Sequence, residues 1–451
     1  MQHNWSIPDG ASRILARLNQ YGYEAYLVGG CVRDLVMGRK PHDWDICTNA
    51  KPEQVVDIFK DKHVIETGLK HGTVSVVYDG VYEVTTYRID GEYEDGRHPK
   101  KVEFVSDLRE DLARRDFTIN AMALGHDGNI IDFFGGVSDA NKRIVRCVGR
   151  PADRFGEDWL RIMRAMRFAS VLGFDMDAET LSYIQSVNYI PNGISAERIQ
   201  AELRKMVVGI NAAEILRQCK NILFLVAPEL RDMDGFHQNS PYHIYDVFEH
   251  TLHAIDYAPR NETVRLALLF HDAGKPYSYS EDENGVGHFY GHPALSEPIC
   301  RDVMSRLRFE NRIIEDVAHL VKYHDITFNC ERTYIKRCLN KHGRDMLHML
   351  IFVRASDIYA QSTVNQSERL AKVRLFSEML QYVYDSNECF SLRDLAVNGN
   401  DLIQIGFKPG PNLGKMLSML LENVIDGKLK NEKETLLEFA LPYLTVSQFL
   451  M

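Results

Sequence analysis

Between Leu27 and Ala50 the chain reads LVGGCVRDLVMGRKPHDWDICTNA. Ala25–Val28 is a short apolar run that predicts a strand, Val32–Met37 a helix, and Trp44–Cys47 a second strand. The helix is entered through Gly29-Gly30, a pair that lets the backbone turn tightly and approach a phosphate. Asp43 and Asp45 are two residues apart, so on an extended chain their carboxylates share a face. Two carboxylates on one face suit Mg²⁺, a hard cation usually held by a few carboxylates plus substrate phosphates. Glycine pairs and D-x-D are each common, and the bland alternative is an exposed turn with two surface acids. The ordered set points to a site for a nucleoside triphosphate and its metal.

Composition bounds the rest. The 451 residues are 45% hydrophobic and 26% charged, as in globular chains with sizeable cores. Length suggests about three domains. No run approaches the roughly 20 apolar residues of a membrane helix, and MQHNWSIPDG lacks a signal pattern. Eight scattered cysteines form no C-x-x-C pair, arguing against a zinc ribbon or a disulfide frame. The expected compartment is cytoplasmic, with no membrane partner.

The net charge of −10 does not advertise nucleic-acid binding. Its distribution is more informative. Lys142 to Arg167 holds eight basic residues against Asp153, Glu157 and Asp158, a local +5 that is either a track for a polyanion or an ordinary solvated helix face.

To about residue 145, apolar runs alternate with turns. His71–Tyr78 and Val81–Arg88 are β-branched runs joined by Asp79-Gly80, a strong hairpin signal, and Ile130–Phe134 is a further apolar run. Helical spacing then takes over through Glu157–Leu172, Ala196–Val208 and Ala212–Leu223. A histidine-rich helical section spans about 225 to 385, followed by a turn at Gly406–Pro411 and an apolar helix from Leu413 to about Val424.

Two segments carry further chemistry. Asp116, in RRDFTINAMAL, has Arg114 and Arg115 beside it, a set able to clamp phosphate and contact a ribose hydroxyl; the plainer reading is a helix N-cap with ion pairs. In EDWLRIMRAMRF, a helix makes Asp158 and Arg161 neighbours at i, i+3, which in the plainer reading is a simple salt bridge. Arginine only donates and aspartate only accepts. That pair matches cytosine or adenine, each with a ring-nitrogen acceptor beside an exocyclic amine. Guanine and uracil present the reverse order and leave groups unpaired, which discriminates strongly.

These segments, with YRIDGEYEDGRHP and ISAERIQAEL, arrive in an order that resembles the bacterial-type (class II) tRNA nucleotidyltransferases, the CCA-adding enzymes, and the related bacterial poly(A) polymerases, over roughly residues 25–205. The resemblance implies an α+β chain: a polymerase-β-type head with a mixed β-sheet over 1–145, an all-α neck over 146–224, and helical sections over 225–385 and 386–451. It implies Mg²⁺ on Asp43 and Asp45. It gives nucleotide contacts to Gly29, Gly30, Arg33, Arg114, Arg115, Asp116, Asp158, Arg161 and Arg164, and leaves Glu83 a candidate third acid. Ser195–Arg198 would brace the neck, and Asp95–Arg97 would belong to a loop that serves the switch from C to A. The expected partners are tRNA, ATP and CTP.

In the third section His250, His271-Asp272, His292, His324 and Asp357 follow in the order of HD-domain metal phosphohydrolases, which this section resembles over roughly 240–360. Such donors suit Mn, Fe or Ni. The leading function is CCA addition to tRNA with an additional HD phosphohydrolase activity. The alternatives are a poly(A) polymerase, an A-adding tRNA nucleotidyltransferase, or an HD phosphohydrolase with a vestigial head. The retained YEDGRHP loop argues against a CC-only enzyme.

Overall fold

The computed structural model describes residues 5–69, 72–90 and 102–446, in two compact units. The first holds residues up to Arg231 with Val303–Phe309; the second holds Asp232–Asp302 and the chain from Glu310. The YEDGRHP loop and His71 lie outside the described residues.

The first unit begins with α1 (Asp9–Gln20), β1 (Ala25–Val28), α2 (Gly30–Val36), β2 (Asp45–Thr48), α3 (Pro52–Ile58), β3 (His63–Ile65), β4 (Thr73–Val77) and β5 (Val81–Thr86). A two-stranded ribbon follows, β6 (Arg88–Asp90) with β7 (Val102–Phe104), then α4 (Leu108–Ala113), a 3₁₀ turn at Thr118–Asn120, β8 (Met122–Gly125), β9 (Ile130–Asp132) and α5 (Gly136–Lys142). Seven strands form one mixed sheet in the order β3-β4-β5-β2-β1-β8-β9. All neighbours are antiparallel except β2 and β5.

The β4–β5 hairpin closes at Asp79-Gly80, with Val77 opposite Val81. Its alternation is visible in the burial of Val74, Val76, Tyr82 and Val84, which pack with Ile14, Leu18, Leu27, Val32 and Phe59 into one core. On a pleated strand this leaves the intervening residues, Glu83 among them, on the other face. Val28, Cys47, Tyr87, Leu112 and Ala123 form a second, smaller core.

The helical part of this unit comprises β10 (Ile144–Val145), α6 (Pro151–Glu157), α7 (Leu160–Leu172), β11 (Asp175–Met176), α8 (Ala178–Ser186), α9 (Ala196–Val207), α10 (Ala212–Gln218) and α11 (Lys220–Val226). α7 stops at Gly173, whose φ of +69° is a left-handed cap that favours glycine. Ser195 caps α9 by accepting from Arg198 N at 3.3 Å. α7 packs on α9 through an Arg167–Glu202 ion pair and a Ser170 Oγ bond to Met206 O of 2.7 Å.

Two expected helices are divided. The helical period runs on from Glu157 to Leu172, yet Asp158 is extended (φ −146°, ψ 106°) because its carboxylate accepts Leu160 N–H at 2.9 Å. Side-chain bonding to nearby backbone competes with helix at aspartate. The run from Ala212 is interrupted at Cys219.

The second unit contains α12 (Val247–Tyr257), α13 (Glu262–Phe270), α14 (Lys275–Ser278), the ribbon β12 (Ser280–Glu281) with β13 (Gly287–His288), and α15 (His292–Arg306), which begins in it. It continues with α16 (Asn311–Tyr323), α17 (Arg332–His342), α18 (Arg344–Tyr359), α19 (Gln366–Asp385), α20 (Gly399–Gln404), α21 (Pro411–Ile425), α22 (Lys433–Ala440) and α23 (Pro442–Val446). Every residue of α13 from Val264 to Phe270 is buried, so it is the central helix, packed by α12, α16 and α18. Leu402, Phe407, Leu420, Leu421 and Leu436 form a separate core for the last helices.

Candidate functional site

All eleven residues expected to meet metal or nucleotide in the first half line one cleft of about 830 Å³. Asp45 opens β2, and Asp43 stands two residues before it on the incoming chain. Parallel pairing sets Glu83 of β5 directly opposite Asp45. The Asp45 carboxyl is raised above its ordinary range: desolvation contributes most, Arg115 opposes it, and the like charges of Glu83 and Asp43 add to it. Carboxylates that repel one another and offer only oxygen donors suit a hard divalent ion, which would offset that repulsion.

Gly29, at φ +77° and ψ −135°, turns the chain from β1 into α2. A Cβ there would lie 3.0 Å from Arg115 Nη1 and 3.7 Å from Asp45 Oδ2, so the glycine keeps the wall beside the acids open. Arg114 and Arg115 are both tethered to the fully buried Asp111 of α4, at 2.9 and 3.5 Å. Arg115 Nε is buried and has no hydrogen-bond partner among the described residues, a donor left for an anion.

Asp116 is held by Arg164 of α7, whose Nε and Nη2 reach Oδ2 at 2.8 and 2.6 Å, and by Asn120 Nδ2 at 3.2 Å. Burial opposes its ionisation, but Arg164 and Asn120 prevail and hold the carboxyl below its ordinary range. Asn120 Oδ1 in turn accepts from Arg33 Nη1 at 2.9 Å. Gly30 begins α2 beside Arg33, which also bonds Asp34.

Asp158 and Arg161 share this cleft but do not pair with each other. Asp158 Oδ2 accepts from Arg198 Nη2 of α9 at 2.7 Å, while Oδ1 accepts from the Leu160 N–H at the start of α7. Arg161 bonds Glu157 and donates from Nη1 to Arg154 O at 3.1 Å. The expected i, i+3 salt bridge is therefore replaced by two separate anchors, because Asp158 has left the helix. Arg198, Asn120, Asp111 and Glu157 were not singled out as nucleotide contacts. Glu157, Asn120 and Arg198 lie within EDWLRIMRAMRF, RRDFTINAMAL and ISAERIQAEL, whereas Asp111 lies outside these segments.

The lining carries eight arginines against five carboxylates, Asp43, Asp45, Asp116, Asp158 and Glu202. An excess of three positive charges suits a polyanionic ligand.

The second unit brings together His250 of α12, His271 and Asp272 after α13, His292 of α15, His324 after α16 and Asp357 of α18. Five of them form two groups that share Asp272, one with His250 and His271 and the other with His292 and His324, while Asp357 reaches His250 Nε2 at 3.0 Å. Asp272 Oδ2 faces His271 Nε2 at 3.2 Å and His250 Nε2 at 3.4 Å; Oδ1 faces His292 Nε2 at 3.2 Å and His324 Nε2 at 3.9 Å. His271, His292 and His324 each turn Nδ1 onto a backbone carbonyl, of Leu268, Phe289 and Val321, at 2.7 to 2.8 Å. A carbonyl only accepts, so Nδ1 carries a proton in each ring, and in the neutral form Nε2 is a lone pair turned to the centre; at His271 burial opposes a second proton, but Asp272 and Asp357 outweigh it and raise the pKa. His292 and His324 then aim two such lone pairs at each other across 3.0 Å. Burial, with His271 and His292 nearby, pushes the His324 pKa well below its ordinary value, so a proton is disfavoured there. His271 Nε2 and Asp272 Oδ2 are buried without a hydrogen bond among the described residues. This donor set fits divalent metal, with the carbonyls as the outer supports that orient imidazole ligands.

Among the described residues, no helix is long and apolar enough to cross a membrane. Residues 25–146 match the poly A polymerase head domain family, and 294–440 match the tRNA nucleotidyltransferase domain 2 family. The chain is 33% identical over 439 residues to the CCA-adding enzyme of Limosilactobacillus fermentum, covering 95% of this chain and 96% of that one. It is 33% identical over 434 residues to that of Bacillus cereus, covering 95% and 97%. The Bacillus stearothermophilus CCA-adding enzyme in complex with CTP superimposes with a TM-score of 0.69 at 29% identity, over 98% of each chain. The Thermotoga maritima CCA-adding enzyme complexed with tRNA has the same fold, with a TM-score of 0.56 at 19% identity over 97% of this chain and 95% of that one. With a polymerase-type head, a cleft built for a polyanion and near-full-length relatives above 30% identity, this chain belongs to the CCA-adding enzymes.

Proposed function

We propose that the cleft of the first unit is where this enzyme transfers CMP and then AMP from CTP and ATP to the 3′ end of tRNA, with Asp43 and Asp45 as its Mg²⁺ ligands. The observation that carries this assignment is that the acids Asp43 and Asp45, Arg115 and the pair Asp158–Arg161 open on one cavity. Glu83 adds a third carboxylate beside Asp45. The RNA 3′-hydroxyl attacks the α-phosphorus and pyrophosphate leaves. A bound Mg²⁺ supplies a lowered hydroxyl pKa and charge stabilisation on the attacking and leaving oxygens. Arg115, with its unpartnered Nε, holds the triphosphate beside Gly29, and Asp116 is poised for the ribose. Asp158 accepts from the exocyclic amine and Arg161 donates to the adjacent ring nitrogen, so the protein takes the place of a template.

On this reading, 1–145 is the head, 146–224 the neck, 225–385 an HD body and 386–451 the tail. Eight free cysteines and a tRNA substrate are consistent with the cytoplasm. The test is tRNA lacking its 3′ end, incubated with CTP, ATP or both, followed by sequencing of the products. Addition stops at CCA with both nucleotides. A long A tail, or a single A, overturns the assignment.

The bare nitrogens of the second unit favour an additional activity. We infer that this centre binds Mn, Fe or Ni and hydrolyses a phosphoester. Calorimetric titration of Mn²⁺ into full-length protein carrying Asp43→Asn and Asp45→Asn, which silence the head, is expected to show binding. Adding Asp272→Asn, at the residue both groups share, weakens it by roughly a hundredfold. Unchanged binding refutes the metal centre. Metal binding with no turnover on a phosphodiester panel refutes the hydrolase.

A further inference from the structure

One positive charge is built into the second centre. Lys275, the first residue of α14, is 4% exposed, and its Nζ lies 2.6 Å from Asp272 Oδ2, though out of line for a hydrogen bond. Nζ also donates to Gln238 Oε1 at 2.8 Å, on a glutamine 2% exposed, and stands 5.3 Å from the centre of the Phe289 ring. Across the centre, Arg354 Nη1 sits 3.0 Å from Asp357 Oδ2. The two buried carboxylates are thus matched by two side-chain cations before any metal arrives. A buried charge without a partner is strongly destabilising, so this balance lets the centre fold empty.

The balance is uneven between the two oxygens of Asp272. Lys275 sits on Oδ2, the side of His250 and His271, whereas Oδ1 faces His292 and His324. We propose that Lys275 is an internal counter-cation that makes metal loading sequential. The first ion enters between Asp272 Oδ1, His292 and His324, where two lone pairs already face each other. The second, on the Oδ2 side, binds only as Lys275 withdraws from Asp272. The inference rests on the metal reading of this centre and adds an order of filling to it.

The test uses full-length protein with Asp43→Asn and Asp45→Asn, stripped with chelator and titrated with Mn²⁺ alone by calorimetry. Two unequal phases are expected. Lys275→Gln tightens the weaker phase by roughly tenfold or more, because the ion no longer competes with an ammonium group. The same substitution lowers the melting temperature of the metal-free protein, while Lys275→Arg keeps the unequal phases. Equal phases in the unsubstituted lysine background overturn the proposal without any need for the glutamine variant to fold. So does a glutamine variant with unchanged phases and unchanged metal-free melting; metal binding itself then stands. No binding in either protein rejects the metal centre and the proposal together.

Discussion

Alanine at Asp45 reduces nucleotide addition by roughly a thousandfold or more, and alanine at Asp43 does the same, because several kcal/mol of transition-state charge stabilisation leave with the ion. Asp45 begins β2 next to the Gly29 turn, Asp43 precedes it on the same approach, and parallel pairing with β5 sets Glu83 across from Asp45. The like charges of Glu83 and Asp43 help raise the Asp45 carboxyl; on the proposed reading a divalent ion offsets that repulsion, so removing either acid loses a ligand. Neither residue is part of the two cores, so both variants stay folded, with melting temperatures close to the parent. Addition is measured by single-turnover extension of a tRNA ending in CC with ATP. Turnover near the parent rate in either variant would reject the metal assignment.

The second large effect is on base choice. On the proposed reading, alanine at Arg161 removes the donor to the ring nitrogen, and alanine at Asp158 removes the acceptor from the amine. Either change costs roughly a hundredfold in discrimination against UTP and GTP, the scale of a buried hydrogen-bonding group left unpaired. Arg198→Ala is the informative companion. Arg198 holds Asp158 Oδ2 at 2.7 Å from α9. Its loss raises KM for CTP and ATP more than it lowers kcat, and lysine restores part of the effect. Competition between CTP and UTP on one tRNA reads the discrimination. Unchanged selectivity in Asp158→Ala and Arg161→Ala would sink the idea that these side chains stand in for a template.

Much of this was legible in the chain. The β4–β5 hairpin was readable because β-branched alternation on either side of Asp79-Gly80 leaves one register, seen in Val77 opposite Val81. The acids were readable because a two-residue spacing needs no knowledge of the rest of the fold. The break at Asp158 was not, since the helical period continues through it and the deciding contact is one carboxylate on the Leu160 amide. Arg198 was legible only as a neck brace, because its partner lies 40 residues away. Asp111 was hidden for another reason. In EDLARRD it looks like one more surface acid, and only burial shows that it anchors both arginines. The histidines and aspartates gathered in the second centre stood out by order alone, whereas Lys275 three residues after Asp272 could as well have been a solvated lysine.

The separate anchoring of Asp158 and Arg161 has a consequence for how such a chain stores information. On the proposed reading, the order C, C, A is written in the packing of α6, α7 and α9, through Glu157, the Leu160 amide and Arg198. A nucleic-acid template is altered one letter at a time and leaves its neighbours intact. This one is altered by any substitution that shifts a helix, and every letter it spells changes together.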